Sequence, residues 1–341
     1  HGVPRIPSVP MSYGEARHLL EALGGPLVPK GWQGGLPFTY HVGPGGTRVH
    51  MRIEQDYAVR PIWNVIATMP GREHPEQTVI LGNHRDAWTY GGIDPNSGTI
   101  AMLELGRTLG ALAKGGWRPR RTIQLSSWDG EEYGLLGSTE WAEANAAAVS
   151  AHAVAYINVD AACSGRELRA NGSHALRDVV AEVIRDVRDP GANRPLWNIA
   201  VERAWNEGKS AWSAANRRRR DRREPVRPFE WNLAPLGSGS DYTAFVDHLG
   251  VPSLDLRFEG MHGTYHSIYD DFEYVDKVVD PGFQYHATLT EVWNRLTMRL
   301  ADAPVLPLRY SVTGQFALDE LQSLADSGDA AKRTRGRRGL D

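Results

Sequence analysis

The feature that most constrains this chain is an alternation of short apolar runs with longer amphipathic segments, which continues over most of its length. The apolar runs have the length and composition of β-strands, and the segments between them have the apolar spacing of helices. We assign strands to 62–69, 77–81, 121–128, 153–159 and 251–258, and helices to 98–116, 137–151 and 175–187. Strands that alternate with helices of this length form crossover units, which build a parallel sheet. The sequence therefore predicts an α/β fold in which helices flank a mostly parallel, mixed sheet.

Length and charge exclude several other classes of protein. The chain has 341 residues, of which 41% are hydrophobic, and this is enough for one large α/β domain or two smaller ones. Its net charge of −3 argues against nucleic acid as a partner, because nucleic-acid binders usually carry a basic surplus. The single cysteine, Cys163, rules out an internal disulfide. No apolar run approaches the ~18 residues that a membrane helix needs.

Local patterns give further expectations. We expect Ser12 to cap a helix within 12–25, and the alternating residues 47–55 to form an exposed strand. The polar stretch 193–235, which contains the basic run 217–227, is expected to be a solvated surface excursion rather than a docking patch. The helix at 98–116 is expected to bury five apolar side chains, which are Ile100, Leu103, Leu105, Leu109 and Leu112.

Histidine and carboxylate residues follow four of the predicted strands. They are His84, Asp86 and Asp94 after the strand at 77–81, Glu131 and Glu132 after the strand at 121–128, Asp160 at the end of 153–159, and His266 after 251–258. The carboxyl ends of parallel strands meet at one edge of an open sheet, where such proteins build their sites. We therefore expect these side chains to lie close together.

This set of side chains predicts a binuclear metal centre. Carboxylates on one rim repel each other strongly unless a cation lies between them, and imidazole with carboxylate ligands suits zinc better than calcium or a thiolate-binding metal. The count fits two ions, each with one histidine and one terminal carboxylate, and one aspartate shared between them. One residue of the Glu131–Glu132 pair is then left for proton transfer. Asp86 is placed to accept the second N–H of His84.

Each of these residues also has an ordinary explanation. A single His or Asp at a strand end is most often a surface or capping residue, and adjacent glutamates are common on solvated surfaces. Four strand ends with such residues beside glycine-rich loops make coincidence the weaker explanation.

Five longer motifs stand out along the chain: "LGNHRDAWTYGGIDPNSG", "GWRPRRTIQLSSWDGEEYGLLGSTEWAE", "AYINVD", "LGSGSDY" and "YHSIYDDFEYVDKVVDP". They resemble the glutamate carboxypeptidase II-like branch of the co-catalytic dizinc aminopeptidase/carboxypeptidase family, and the resemblance extends from about Pro7 to Leu306. It implies a zinc-dependent metallopeptidase, a hydrolase that removes terminal residues from small peptides.

The resemblance assigns a role to each metal-type residue. The zinc ligands would be His84 and Asp160 at one ion, Glu132 and His266 at the other, and Asp94 between them. Glu131 would be the catalytic base, which takes a proton from water and delivers it to the leaving amine, with Asp86 orienting His84. The bond between Asp94 and Pro95 is expected to be cis.

The resemblance also places residues in the substrate site, namely Tyr265, Gly239, Ser240, Arg257, Arg169 and Asp255. Tyr265 and Gly239 match positions that contact the C-terminal residue of the substrate. Arg257 and Arg169 match arginines that hold an acidic side chain across the scissile bond. Asp255 stands where another such arginine would be, and Ser240 where an asparagine would be. A carboxylate at this position suits a neutral or basic side chain better than an acidic one.

Features outside the zinc site follow from the same resemblance. Glu140 and Glu143 match two ligands of a structural calcium ion. Residues 1–58 would be the C-terminal remnant of a protease-associated apical domain, 59–303 the catalytic domain, and 304–341 the start of a truncated helical dimerisation domain. We therefore expect a piece of a longer protein, which forms a homodimer at full length. It would lie outside the cytoplasm, as a secreted, periplasmic or membrane-anchored ectodomain.

Two alternatives stay open from the sequence. The transferrin-receptor-related branch keeps this fold without its metals and serves as a binding or dimerising protein. The piece itself could also be inactive because missing domains complete the substrate cleft. A competent residue at every zinc position favours the enzyme.

Overall fold

A computed structural model of the chain describes residues 6–46, 48–54, 56 and 58–337, with side chains described as far as residue 325. The residues group into two compact units, 1–61 and 62–341. The larger unit contains a six-stranded sheet made of β1 (Val65–Met69), β2 (His74–His84), β3 (Arg121–Trp128), β4 (Ala153–Asn158), β5 (Glu167–Gly172) and β6 (Ser253–Glu259).

The order of the strands in the sheet is β1-β3-β2-β4-β6-β5. The four central strands β3, β2, β4 and β6 are parallel, and the two edge strands β1 and β5 are antiparallel to their neighbours. The predicted fold class, a mostly parallel mixed sheet flanked by helices, is therefore confirmed.

Helices connect the strands and complete the chain. They are α1 (Tyr13–Glu21) in the smaller unit, and α2 (Asn96–Lys114), α3 (Leu136–Ala144), α4 (Ala146–His152), α5 (Arg177–Asp186), α6 (Leu196–Asp221), α7 (Phe272–Tyr274), α8 (Gln284–Asp302) and α9 (Tyr310–Arg337) in the larger one. None of the helices that the structure describes combines the length and the apolar character needed to cross a bilayer.

The central strands are buried on both faces, which explains why they read as continuous apolar runs. Along β2, Val79 and Leu81 point into one core cluster, and Ile80 points into a second cluster on the opposite face of the sheet. Residues that alternate along a strand face opposite sides of the sheet, so two layers of helices are needed to cover them.

One layer contains α2, α5, α8 and the first turns of α6, and the other contains α3 and α4. In α8, the large apolar side chains that are fully buried recur at helical spacing and are Leu289, Val292, Trp293, Leu296 and Leu300. Each such side chain contributes about 1.5–3 kcal/mol through burial. On the opposite face, the ring of Tyr156 stacks on that of Phe245 at 4.0 Å, and Trp128 lies 5.4 Å from Trp141. The two layers fix the strands whose ends carry the site.

The stretch 193–235 lies largely at the surface, as predicted, but the sequence did not predict that residues Leu196–Asp221 form the 26-residue helix α6. Leu196 and Ala200 are buried, and Trp197 and Val201 pack against the core. These positions form one narrow apolar face. The many charged residues around it make the helical spacing of the apolar residues hard to recognise in the sequence.

Smaller differences also separate sequence and structure. In the smaller unit, α1 forms as predicted and Ser12 Oγ accepts the N–H of Glu15 at 3.2 Å, but residues 48–54 do not form the predicted strand. The helix predicted at 137–151 is divided into α3 and α4 at Asn145. In α2, Leu105 and Leu109 are buried as predicted, whereas Ile100 and Leu103 are exposed.

Candidate metal centre

The predicted ligands meet at one edge of the sheet, at the carboxyl ends of its parallel strands. His84 is the last residue of β2, which lies between β3 and β4. Glu131 and Glu132 follow β3, Asp160 follows β4, and His266 lies in the loop after β6. Because these four strands run in the same direction, their ends bring the ligand-type side chains together.

Asp94 lies between the two imidazole rings. Its Oδ1 is 3.3 Å from Nε2 of His84, and its Oδ2 is 3.2 Å from Nε2 of His266. One carboxylate therefore faces each histidine with a different oxygen, which is the arrangement that a shared ligand requires. The bond between Asp94 and Pro95 is cis, as predicted.

The other acidic side chains complete one group around each histidine. Nε2 of His84 is 2.9 Å from Oδ1 of Asp160 and 4.0 Å from Oε2 of Glu131, and Nε2 of His266 is 3.3 Å from Oε2 of Glu132. Ligand atoms lie within 4.8 Å of one another in two groups, His84 with Glu131 and Asp160, and Asp94 with Glu132 and His266.

The donor atoms of these groups fit a cation. Oδ1 of Asp94 and Oε1 of Glu132 are buried and have no hydrogen-bond partner within the described part of the chain. A buried carboxylate oxygen without a donor costs about 1–3 kcal/mol, and a bound cation removes that cost. Histidine nitrogen with carboxylate oxygen is a donor set that zinc accepts.

The concentration of negative charge shifts the pKa values of the site. Burial raises the pKa of Glu131 to about 8, and neighbouring carboxylates add to this effect. Burial also raises the pKa of Glu132 to about 7, with Asp94 as the strongest neighbouring charge. Burial alone would lower the pKa of His84, but the carboxylate of Asp160 beside it raises that pKa overall. The site therefore favours positive charge.

Asp86 acts differently from its predicted role. The backbone carbonyl of Asp86, not its carboxylate, lies 3.0 Å from Nδ1 of His84, whereas its Oδ1 is 3.6 Å away. Its two carboxylate oxygens accept the N–H groups of Glu131 and Glu132, each at 3.1 Å. Asp86 thus orients His84 through its main chain and holds the glutamate pair through its side chain.

Asp270 holds the loop that carries Asp94, and the sequence did not predict it. Its Oδ1 accepts the N–H of Ile93 at 2.7 Å, and its Oδ2 accepts the N–H of Asp94 at 3.1 Å. The side chain is buried, with 2% of its surface exposed. In the sequence Asp270 is one of two adjacent aspartates, and only its contacts in space distinguish it from Asp271, which caps α7.

Besides His84, Ser240 and Asn83 hold Asp160, and of these two only Ser240 belonged to the predicted site. The hydroxyl of Ser240 donates to Oδ2 of Asp160 at 2.6 Å. The side-chain amide of Asn83 donates to the backbone carbonyl of Asp160 at 3.2 Å. Asn83 directly precedes the predicted ligand His84 in the sequence, and this position is the feature from which its role could have been predicted.

A cleft of about 380 Å³ opens beside Asp94 and Asp160. Five of the predicted substrate residues line it, which are Tyr265, Gly239, Ser240, Asp255 and Arg257. Arg169 does not line the cleft. Its Nε lies 3.0 Å from Oε2 of Glu259, and Glu259 is one of the lining residues. The structure therefore places five of the six predicted substrate residues in the cleft that also contains Asp94 and Asp160.

Glu140 and Glu143, the predicted calcium ligands, lie exposed on α3. Neither belongs to a group of three metal-ligating side chains among the residues that the structure describes. The calcium site remains a prediction.

A parallel sheet with two adjacent histidine–carboxylate groups on its carboxyl rim is typical of hydrolases that use a pair of metal ions. The chain belongs to peptidase family M28, whose family model matches residues 64–280.

Curated relatives cover nearly all of the chain. It is 38% identical over 337 residues to "Probable glutamate carboxypeptidase VP8" of Zea mays, an alignment that covers 98% of this chain and 44% of the relative. It is 37% identical over 343 residues to "Aminopeptidase NAALADL1" of Mus musculus, covering 94% of this chain and 44% of that protein. The chain thus spans less than half the length of these relatives.

Among solved structures, a peptidase M28 precursor from Shewanella amazonensis is similar over 72% of this chain and 46% of that chain, with 21% identity and a TM-score of 0.47.

Proposed function

We propose that this chain carries the catalytic part of a dizinc exopeptidase, which hydrolyses a terminal peptide bond of small peptides. The observation that carries the proposal is the position of Asp94, which faces His84 with one oxygen and His266 with the other. Membership of a peptidase family supports it.

Two zinc ions would be held by the residues that surround Asp94. His84 and Asp160 would bind one ion, Glu132 and His266 the other, and Asp94 both. Zinc bound there would provide a nucleophile at neutral pH and would polarise the scissile carbonyl.

Glu131 is the residue suited to move protons. It is buried and directly precedes Glu132, one of the proposed ligands. Its Oε2 lies 4.0 Å from Nε2 of His84, so the carboxylate is placed beside the ligand-type residues, where it can take up a proton and release it again. Glu131 would therefore accept the proton of the attacking water and pass it to the departing amine nitrogen. Asp86 fixes the backbone at Glu131 and so aims the carboxylate.

The names of the relatives include both a glutamate carboxypeptidase and an aminopeptidase. The proposal therefore covers cleavage at either the amino or the carboxyl end of the peptide. Homodimerisation of the full-length protein and a location outside the cytoplasm are likewise proposed from the resemblance alone.

A zinc assay paired with a panel of small peptides tests the function. We expect bound zinc and release of terminal amino acids, measured by atomic absorption and by chromatography of the products. Absence of zinc would instead support a metal-free binding protein, and zinc without turnover would support an inactive piece. A panel with blocked N-termini and blocked C-termini would show which end is cleaved.

A further inference from the structure

The two histidines of the candidate metal centre are supported in different ways. The side chain of His84 is 1% exposed, and its Nδ1 lies 3.0 Å from the backbone carbonyl of Asp86. The side chain of His266 is 33% exposed, and within the described part of the chain no hydrogen bond reaches its Nδ1. A histidine that binds a metal is usually oriented by an acceptor at its second ring nitrogen. The orientation of His266 therefore needs another explanation.

The loop that carries His266 gives this side chain little support of its own. His266 has a φ of 55°, in the left-handed region that residues with a side chain rarely adopt. Met261 in the same loop is fully exposed. A residue with a strained backbone keeps one conformation only where its surroundings fix it. Contacts from other parts of the chain are therefore needed to hold His266.

The adjacent residues Trp88 and Thr89 provide two such contacts. The indole ring of Trp88 lies 6.2 Å from the imidazole ring of His266, at an interplanar angle of 54°. The hydroxyl of Thr89 donates to the backbone carbonyl of Ser267 at 2.7 Å. Tyr265 also stacks on His266, at 3.7 Å, but it belongs to the same loop and cannot anchor it. Trp88 and Thr89 thus contact the loop both at the imidazole ring and at the main chain beside it.

Trp88 is itself in contact with a third loop of the site. Its ring lies 5.4 Å from that of Tyr133, at 50°, which is within the range of favourable aromatic pairs. Trp88 lies on the loop after β2, four residues beyond His84, and Tyr133 directly follows Glu132. Ring contacts therefore connect the loops after β2 and β3 with the loop that carries His266.

We propose that Trp88 and Thr89 position His266, Trp88 by packing on the imidazole ring and Thr89 by holding the backbone next to it. This inference rests on the proposed function, because it concerns one of the two proposed zinc sites. Both are positioning residues, which offer no atom to the ion and act through the imidazole. Their loss should weaken the binding of the ion beside His266 and spare the ion beside His84.

The first test measures the order of the two imidazole rings in the metal-free protein. Carbon-13 relaxation of labelled histidine side chains reports this order, and the signals of His266 and His84 are assigned by their loss in His266→Gln and His84→Gln. Trp88→Ala and Thr89→Val should each lower the order of the His266 ring and leave that of His84 unchanged. Trp88→Phe, which keeps an aromatic ring, should retain most of the order.

The second test measures zinc affinity by competition with a chelator. The usual strength of an aromatic contact or of one hydrogen bond predicts about threefold to tenfold weaker binding of one ion in Trp88→Ala and in Thr89→Val. The affinity for the other ion should not change. Anomalous diffraction from crystals with part of their zinc removed should show that the ion beside His266 leaves first.

A matched control is available on α6, away from the candidate metal centre. The indole of Trp205 also contacts aromatic rings, those of Trp212 at 5.4 Å and Phe229 at 5.2 Å. Trp205→Ala should therefore change neither the order of the His266 ring nor the affinity for zinc.

An unchanged order of the His266 ring in a variant that combines Trp88→Ala with Thr89→Val would overturn the inference. Equal weakening of both ions, or earlier release of the ion beside His84, would overturn it as well. A protein that binds no zinc would end the proposed function, whereas the order of the rings in the metal-free protein would still decide whether Trp88 and Thr89 position His266.

Discussion

At the scale of single residues, the site consists of ligand-type side chains and of side chains that hold them in place. Asp94 and His84 offer atoms to a cation, whereas Asp86 and Asp270 each use both carboxylate oxygens to accept backbone N–H groups beside the site. The second kind acts by fixing geometry, so its loss should weaken metal binding without removing a donor atom.

Glu131 is predicted to matter for turnover and not for zinc. Glu131→Gln keeps the shape of the side chain but removes its ability to carry a proton, so kcat should fall by about 10²–10⁴-fold. Zinc content, measured by atomic absorption, should stay the same. Substantial remaining turnover would show that another residue is the base, and loss of zinc would show that Glu131 is a ligand.

Asp270 is predicted to matter for zinc affinity. Asp270→Asn replaces one accepting oxygen by an N–H₂ group that faces a backbone N–H, so the loop carrying Asp94 should shift. Competition with a chelator should reveal about 10–100-fold weaker zinc binding. Asp271→Asn is the control, because asparagine caps a helix as well as aspartate does. Equal zinc affinity of the two variants would show that Asp270 has no positioning role.

At the scale of secondary-structure elements, the parts that support the site are the ones the sequence predicted best. The strands β2, β3, β4 and β6 are buried on both faces, and the resulting apolar runs are unambiguous in the sequence. Because the ligand-type residues follow those strands, the sequence was sufficient to place them on one rim.

The same local patterns could not predict α6 or the positioning residues. The apolar face of α6 is narrow, and only packing against the core reveals it. The contact between Asp270 and Asp94 joins residues 176 positions apart. The spacing of apolar residues within a short stretch of sequence therefore cannot predict it. Tertiary contacts of this kind decide details that propensity and spacing leave open.

The start of α8 depends on Asp280, which leads to a stability prediction. Its Oδ2 accepts the backbone N–H groups of Tyr285 and His286 and lies 2.7 Å from Nδ1 of His286. Asp280→Asn should lower the free energy of unfolding at pH 7 by about 1–3 kcal/mol, as measured with denaturant, because buried hydrogen bonds are lost. Glu291→Gln on the exposed side of α8 is the control and should change stability by much less.

The Asp280 effect should depend on pH with a defined sign. Burial would raise the pKa of Asp280, but hydrogen bonds from His286 and the backbone outweigh it and lower the pKa in the folded protein. A lowered pKa adds stability above the unfolded value of about 3.9, and this contribution is lost as the pH falls through the folded value. The difference between the unaltered protein and Asp280→Asn should therefore shrink below about pH 4. A constant difference down to pH 2 would contradict this origin.

At the scale of the whole molecule, the residues that match the family model and the residues of the site lie in the same unit, 62–341. The family model matches residues 64–280, which include all seven residues that were predicted as metal ligands or as catalytic. The whole chain spans less than half the length of the curated relatives that it matches.

The central claim is that two zinc ions lie on either side of Asp94. Its most direct test is X-ray diffraction from zinc-loaded crystals at the zinc absorption edge, where anomalous scattering locates the ions without assumptions about the ligands. We predict two anomalous peaks, one between Asp94, His84 and Asp160 and the other between Asp94, Glu132 and His266. A zinc-saturated crystal with no peak beside Asp94, or with a single peak on one side of it, would contradict the claim.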